Sequence, residues 1–115
     1  MITGIEGRLA GTGPNWADVT IGGGVTMRAS VPDPGALGAV GEPVRLFTTL
    51  QVRDDSIMLF GFATQEARTA FETLITVNGV GPKLAISILS TMSTDTLTLA
   101  VSAGDPAAFK VVSGV

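Results

Sequence analysis

The sequence predicts an α+β protein in which a five-stranded β-barrel is followed by a small all-α domain. Residues 1–62 alternate apolar and polar side chains between glycine and proline breaks, as half-buried strands do. From residue 63 onward the apolar positions change to helical spacing. This change of period places a barrel domain at residues 1–63 and a helical domain at residues 64–115.

Five segments carry the strand pattern, and turn-like breaks separate them. Gly4 and Gly7 interrupt the first segment and permit the sharp coiling by which one strand serves both halves of a barrel. The last segment is apolar on both faces at residues 57–62, so we expect it to be covered on each side. The predicted strands are residues 2–10, 17–21, 25–31, 44–53 and 56–62. This arrangement fits the five-stranded barrel called the OB-fold, with an SH3-like barrel as the alternative.

The second half predicts four short helices. Thr64 suits the N-cap of the first, which we expect to stop near Asn78-Gly79, and Pro82 suits the first position of the second. The third is predicted to start at residue 93 or 94 and to end at Gly104, and the fourth to run from residue 105 to about residue 112. The apolar stripes of the first two helices are Ala67, Ala70, Phe71, Leu74 and Ile75, and then Leu84, Ala85, Ile88, Leu89 and Met92.

Composition excludes most enzyme chemistry. The sequence has no cysteine and no histidine, which excludes disulfides, thiol nucleophiles, histidine triads and zinc sites built on those ligands. A chain of 115 residues is also too short for a large catalytic α/β architecture. We therefore predict no catalytic residue, no metal and no cofactor. The sequence contains no secretory leader and no apolar run of the roughly 20 residues that span a bilayer, so we expect a cytoplasmic protein without a membrane partner.

The residues best suited to bind a ligand lie in a helix–hairpin–helix segment, residues 74–89, around Gly79-Val80-Gly81. The two glycines leave no side chain between the backbone amides and an approaching group, and Val80 is expected to pack inward. Pro82 begins a helix whose unpaired N–H groups suit an anion, and Lys83 adds a positive charge. Such a hairpin holds DNA phosphates without reading bases, so a chain of net charge −3 can still bind DNA. The alternative is a structural αα-hairpin whose glycines only cap a helix.

A second copy of this hairpin starts at residues 109–115 but breaks off before its second glycine. We therefore expect the sequence to be part of a longer protein. The candidate phosphate-binding residues are Asn78, Gly79, Val80, Gly81, Lys83 and Leu84, with Gly114 in the incomplete copy.

These motifs together resemble the amino-terminal two domains of the RuvA family. Residues 52–56, 59–62 and 78–85 occur in the order and at the spacing of that family, and the resemblance covers the whole chain. The resemblance implies an OB-fold barrel, a domain with two helix-hairpin-helix motifs that grip phosphates, and four subunits that form a flat square on a four-way (Holliday) DNA junction. It also implies a third domain, absent from this sequence, that contacts a RuvB-type hexameric ATPase.

The resemblance further implies a role for Asp54 and Asp55, which lie at the turn between the last two predicted strands. In a fourfold assembly their carboxylates would meet at the centre and repel DNA phosphates, which holds the junction open. Asp54 stands where the family usually has Glu. Two adjacent carboxylates at a turn are ordinarily just solvated, and ligation of a metal by both is disfavoured because neighbours on an extended segment point to opposite faces.

Arg53 and Lys110 are further candidates for contact with DNA, Arg53 because it adjoins the acidic pair. Other isolated arginines are weaker candidates, and the aromatic residues of the barrel are either stacking platforms for unpaired bases or core residues. The weaker arginines are Arg8, Arg28 and Arg45, and the aromatics are Trp16, Phe47, Phe60 and Phe62.

The leading functional hypothesis is a non-catalytic protein that binds four-way DNA junctions in recombination and repair, holds them open and square as a homotetramer, and loads a RuvB-type ATPase. One alternative is a single-strand DNA-binding OB protein. The other is a helix-hairpin-helix DNA glycosylase or nuclease, for which Asp95 or Asp105 would be the catalytic carboxylate.

Overall fold

The computed structural model describes residues 2–91, which fall into two compact units, one ending at Thr64 and the other starting at Gln65. The third and fourth predicted helices and the second hairpin copy lie outside the described residues. So do the candidate residues Met92, Asp95, Asp105, Lys110 and Gly114.

The first unit is a closed barrel of five strands in the order β1-β2-β3-β5-β4. Neighbouring strands are antiparallel except for β3 and β5, which meet in parallel at Ser30 and Phe60. A short 3-10 helix, Pro34–Leu37, lies within the irregular connection between β3 and β4. The strands are β1 Gly4–Thr12, β2 Trp16–Ile21, β3 Val25–Ser30, β4 Pro43–Arg53 and β5 Ser56–Phe62. This barrel, followed by helices, confirms the predicted α+β class and the OB-fold.

Strand β1 closes the barrel because it pairs with β4 along its first half and with β2 along its second half. Its first half, Gly4 to Arg8, pairs with β4, and its second half pairs with β2 from Arg8 to Thr12, across a register shift between Leu9 and Gly11. Such a bulge bends a strand and increases its twist. At Gly7 the backbone of β2 comes so close that a Cβ would overlap the carbonyl oxygen of Thr20. The glycine predicted to permit coiling is therefore the point of closest approach.

The barrel core consists of inward-facing side chains from all five strands and the residue after β3. Thr48 is the only buried polar residue in the described part of the chain, and its hydroxyl donates to the carbonyl of Ile2 at 2.8 Å. Its backbone N–H donates to the carbonyl of Thr3 at 3.0 Å. Both polar groups of this buried residue are therefore hydrogen-bonded. The core residues are Ile5, Leu9, Ala17, Val19, Ala29, Val31, Leu46 and Leu59.

The prediction that β5 is covered on both sides is wrong for its first half. Leu59 to Phe62 are buried, but Ile57 is 70% exposed. The reason is that β4 pairs with β1 only as far as Phe47, while β5 meets β3 only at Phe60. Residues 50–53 of β4 and 56–59 of β5 therefore pair only with each other. We call this two-stranded extension the ribbon.

The described part of the second unit contains two helices, α1 Gln65–Leu74 and α2 Pro82–Thr91. Helix α1 ends earlier than predicted because the chain tightens after Leu74, where Thr76 and Val77 donate to carbonyls three residues back. Helix α2 begins at Pro82 as predicted, but Leu84 is 38% exposed and Ile86 is buried in its place. Neither helix of residues 2–91 is long and apolar enough to cross a membrane.

We expect Gly7→Ala to destabilise the barrel, because the added methyl group collides with the backbone of β2 rather than with a side chain that can move. Overpacking of this kind costs about 1–3 kcal/mol of unfolding free energy. Thermal melting followed by circular dichroism should show a Tm lower by roughly 5 °C or more. Gly11→Ala on the same strand is the control, since a Cβ there meets nothing, and an equal loss in both variants would contradict the account.

Candidate nucleic-acid interface

The hairpin between α1 and α2 is built by two glycines with different roles. Gly79 has φ of +88°, a conformation that side-chain-bearing residues rarely adopt, so it makes the turn possible. Val80 is 7% exposed, and its N–H donates to the carbonyl of Val77 at 3.0 Å. Val80 therefore packs inward, as predicted, while Gly79 and Gly81 on either side of it are exposed.

The turn does not require a glycine at Gly81, and this residue leaves the start of α2 uncovered. Its φ is not positive, and a Cβ built on it would meet no atom within 4 Å. The first hydrogen bond of α2 runs from the N–H of Ala85 to the carbonyl of Gly81 at 3.0 Å, which makes Gly81 the N-cap. No capping side chain is present at this position, so the space in front of the helix end stays open.

Four exposed residues of this hairpin carry backbone N–H groups with no acceptor among residues 2–91. Lys83 and Leu84 lie in the first turn of α2, where no preceding helical turn supplies a carbonyl to their N–H groups. The four residues are Gly79, Gly81, Lys83 and Leu84. Unpaired N–H groups and the positive end of a helix dipole attract an anion. The exposed Lys83 adds a full charge, and its side chain has no ion-pair partner in the described part of the chain.

At the tip of the ribbon, Asp54 and Asp55 form the two-residue connection between β4 and β5. Arg53 and Ser56 are the last paired residues before it. All four residues are exposed. Within residues 2–91, the two carboxylates and the guanidinium of Arg53 form no hydrogen bond and no ion pair. The tip thus presents two negative charges and one positive charge to its surroundings.

Comparison with known families identifies the chain. The RuvA N terminal domain family matches residues 1–61. The chain belongs to this family. The resemblance drawn from the sequence is thereby confirmed.

Relatives named "Holliday junction branch migration complex subunit RuvA" extend the match beyond the barrel. The protein of Dehalococcoides mccartyi is 40% identical over 117 residues, covering 100% of this chain and 60% of the relative. That of a Roseiflexus species is 47% identical over 106 residues, covering 91% of this chain and 54% of the relative. That of Streptomyces griseus is 44% identical over 116 residues, covering 100% and 55%. The chain therefore spans somewhat more than half the length of these relatives.

Among the weaker arginine candidates in this RuvA-family barrel, Arg28 is engaged by its own unit. Its Nε and Nη2 donate to the two carboxylate oxygens of Asp18 at 2.8 and 3.0 Å, and its guanidinium lies 3.8 Å from the ring centroid of Trp16. The hydrogen bond from Arg28 holds the pKa of the Asp18 carboxyl below its usual value. Sequence reasoning missed this pair, although the three-glycine turn fixes a register that places Asp18 opposite Arg28.

The remaining arginine and aromatic candidates also have local partners. Arg8 donates to the carbonyl of Gly41 at 3.0 Å, and Arg45 lies 3.5 Å from Glu6 and 5.0 Å from the ring centroid of Phe47. Phe60 and Phe62 are buried, which makes them core residues rather than stacking platforms for bases. Among residues 2–91, no group of three or more acidic side chains is placed to hold a metal ion.

Proposed function

We propose that this chain binds four-way DNA junctions through the phosphate backbone, as the recognition part of a junction branch-migration subunit. The observation that carries the proposal is a set of four exposed residues, Lys83 among them, whose N–H groups have no acceptor among residues 2–91. The names of the relatives, which describe subunits of a Holliday junction branch migration complex, agree with it.

The hairpin binds the phosphate backbone of DNA and does not read its base sequence. A phosphate oxygen accepts hydrogen bonds from backbone N–H groups, and the ammonium of Lys83 compensates its charge. None of these contacts distinguishes one base from another, which suits a protein that must act at junctions of any sequence. It also explains how a chain of net charge −3 binds a polyanion, since the donors are uncharged groups.

Selection of a junction over plain duplex comes from the acidic tip in a homotetramer. When four copies surround a crossover, Asp54 and Asp55 of each copy face the centre, where the strands separate. The carboxylates repel a continuous duplex running through that centre, but tolerate a junction whose arms diverge around it. The tip therefore discriminates by repulsion, and the hairpin supplies the attraction.

The chain contributes recognition and no chemistry of its own. Movement of the junction requires ATP hydrolysis, which we assign to a RuvB-type hexameric ATPase. Asn78 and Val80 complete the hairpin, with Asn78 exposed beside the first glycine and Val80 anchoring the turn from inside.

Gly81→Ser tests the phosphate site without harming the fold. A serine at the N-cap accepts hydrogen bonds from the N–H groups of Lys83 and Leu84, which stabilises α2 and occupies the groups proposed to hold phosphate. We expect an unchanged or higher Tm, together with affinity for a four-way junction lower by about tenfold or more in mobility-shift titrations. Gly24→Ser is the matched control, because a side chain there also enters open space, but on the barrel.

The same titrations compare the junction with linear duplex of equal length and with oligo(dT) at one salt concentration. Wild-type affinity should be highest for the junction. Equal affinity for junction and duplex, a preference for oligo(dT), or full junction binding by Gly81→Ser would each contradict the proposal.

Neutralising the tip with Asp54→Asn and Asp55→Asn should weaken the preference for a four-way junction over duplex, without weakening DNA binding itself. Each carboxylate held about 4 Å from a phosphate costs about 1 kcal/mol in water, so duplex affinity should rise about fivefold or more while junction affinity changes less. The measurement is made where light scattering shows an unchanged assembly mass. Asp33→Asn with Glu42→Gln, which removes two exposed charges elsewhere on the barrel, is the control. An unaltered ratio of junction to duplex affinity in the tip variant would rule out the repulsive role.

A further inference from the structure

One cation and three hydroxyl groups line the exposed face of α2. The three hydroxyl residues follow the cation by four, seven and eight positions, a spacing that places side chains on one face of a helix. The opposite face is buried and apolar. The exposed face starts in the turn that carries the open N–H groups, so it continues directly from the hairpin site. Its residues are Lys83, Ser87, Ser90 and Thr91.

This segment of the chain carries no carboxylate. Residues 73–91 contain no aspartate and no glutamate, and Lys83 is their single charged residue, in a chain of net charge −3. Helix α1, by contrast, has Glu66 in its first turn, where the helix dipole favours a negative charge. A phosphate backbone that follows α2 from the hairpin therefore meets one positive charge and no negative charge of this segment.

The three hydroxyl groups differ in their hydrogen bonds. The hydroxyl of Ser90 donates to the carbonyl of Ser87 at 2.7 Å, and that of Thr91 donates to the carbonyl of Ile88 at 2.8 Å. The hydroxyl of Ser87 takes part in no hydrogen bond within residues 2–91. Ser87 is therefore the residue of this face whose O–H group is available to an acceptor from outside the described chain.

The position of Ser87 suits a phosphate other than the one at the hairpin. Ser87 lies one helical turn beyond Lys83, which is about 6 Å along the helix axis. A DNA strand rises roughly 3.4 Å per phosphate along the duplex axis, so a strand that lies beside α2 brings another of its phosphates within reach of this hydroxyl.

We propose that the DNA strand held at the hairpin continues along the exposed face of α2, where the hydroxyl of Ser87 donates a hydrogen bond to a second phosphate. The inference rests on the proposed function and deepens it, because it names a side-chain contact beyond the backbone N–H groups. A hydroxyl on a phosphate reads no base, so the contact adds affinity without adding sequence preference.

Ser87→Ala in the full chain removes the hydroxyl and keeps the helix, because alanine has the higher helix propensity. We expect an unchanged or higher Tm and an affinity for a four-way junction lower by about tenfold in mobility-shift titrations, since a hydrogen bond to a charged group is lost. Ser90→Ala is the matched control, because it deletes the same atom from the same face, but from a hydroxyl that already donates to Ser87. Wild-type affinity in Ser87→Ala, or equal losses in both variants, overturns the inference.

Ser87→Lys tests for the phosphate itself through the salt dependence of binding. Each phosphate neutralised by a cation steepens the fall of log affinity with log salt concentration by about 0.9. We therefore expect Ser87→Lys to bind the junction more tightly at low salt, with a slope steeper by about 0.9. Thr69→Lys adds the same charge at an exposed position of α1 and should leave the slope unchanged. An unaltered slope in Ser87→Lys, or an equal change in both variants, contradicts a phosphate at this position.

Gly81→Ser in the same titrations separates this inference from the proposed function. Loss of junction affinity in both Gly81→Ser and Ser87→Ala supports both. Loss in Gly81→Ser alone overturns the contact at Ser87 and leaves the hairpin site standing. Loss in Ser87→Ala alone supports the contact at Ser87 and overturns the hairpin site, and full affinity in both variants overturns both.

Discussion

The first turn of α2 imposes the constraint on which the proposed function depends. The N–H groups at the start of any helix lack an acceptor four residues earlier, and leaving them without water or another partner costs free energy. Many helices cap these groups with a serine, threonine or aspartate, but here the N-cap is Gly81, which offers no side chain. Gly79, at φ of +88°, brings the preceding chain round without covering them. The groups are therefore open to an anion from outside the chain.

The two units meet opposite physical demands. In the proposed function the hairpin attracts phosphates through uncharged donors, which leaves the rest of the chain free to be acidic and sparsely charged. The barrel presents Asp54 and Asp55 on a ribbon, and carboxylates there oppose the approach of the same phosphates. We propose that a branched DNA satisfies both demands at once, because its backbones run along the arms and diverge at the centre. Plain duplex satisfies only the first.

Period and glycine placement were sufficient to predict the strands and the barrel, because alternation reports directly which side chains share a face. Alternation does not report how far a neighbouring strand extends, and for that reason Ile57 was expected to be covered and is exposed. Likewise, Ile75 and Val77 continue an apolar pattern past the end of α1, where the backbone has already tightened. Long-range pairing sets both outcomes, and a single sequence carries little information about it.

The hairpin was readable from the sequence because its chemistry resides in the backbone. Glycine spacing and a proline at the first helical position specify local geometry, whatever the rest of the chain does. Side-chain sites are less predictable. Arg28 is a candidate for DNA contact by sequence, but in the barrel its guanidinium bonds to Asp18 and stacks on Trp16. Arg8, Arg28 and Arg45 each have a partner within the barrel, whereas Arg53 has none among residues 2–91.

The most direct measurement follows the amide groups themselves. In ¹H–¹⁵N correlation spectra of the labelled chain, sub-stoichiometric four-way junction should shift or broaden the signals of Gly79, Gly81, Lys83 and Leu84 before those of the barrel turn at Gly22 and Gly23. The account predicts that these four N–H groups respond first and together. Unchanged signals from all four, with the chain bound to the junction, would contradict it.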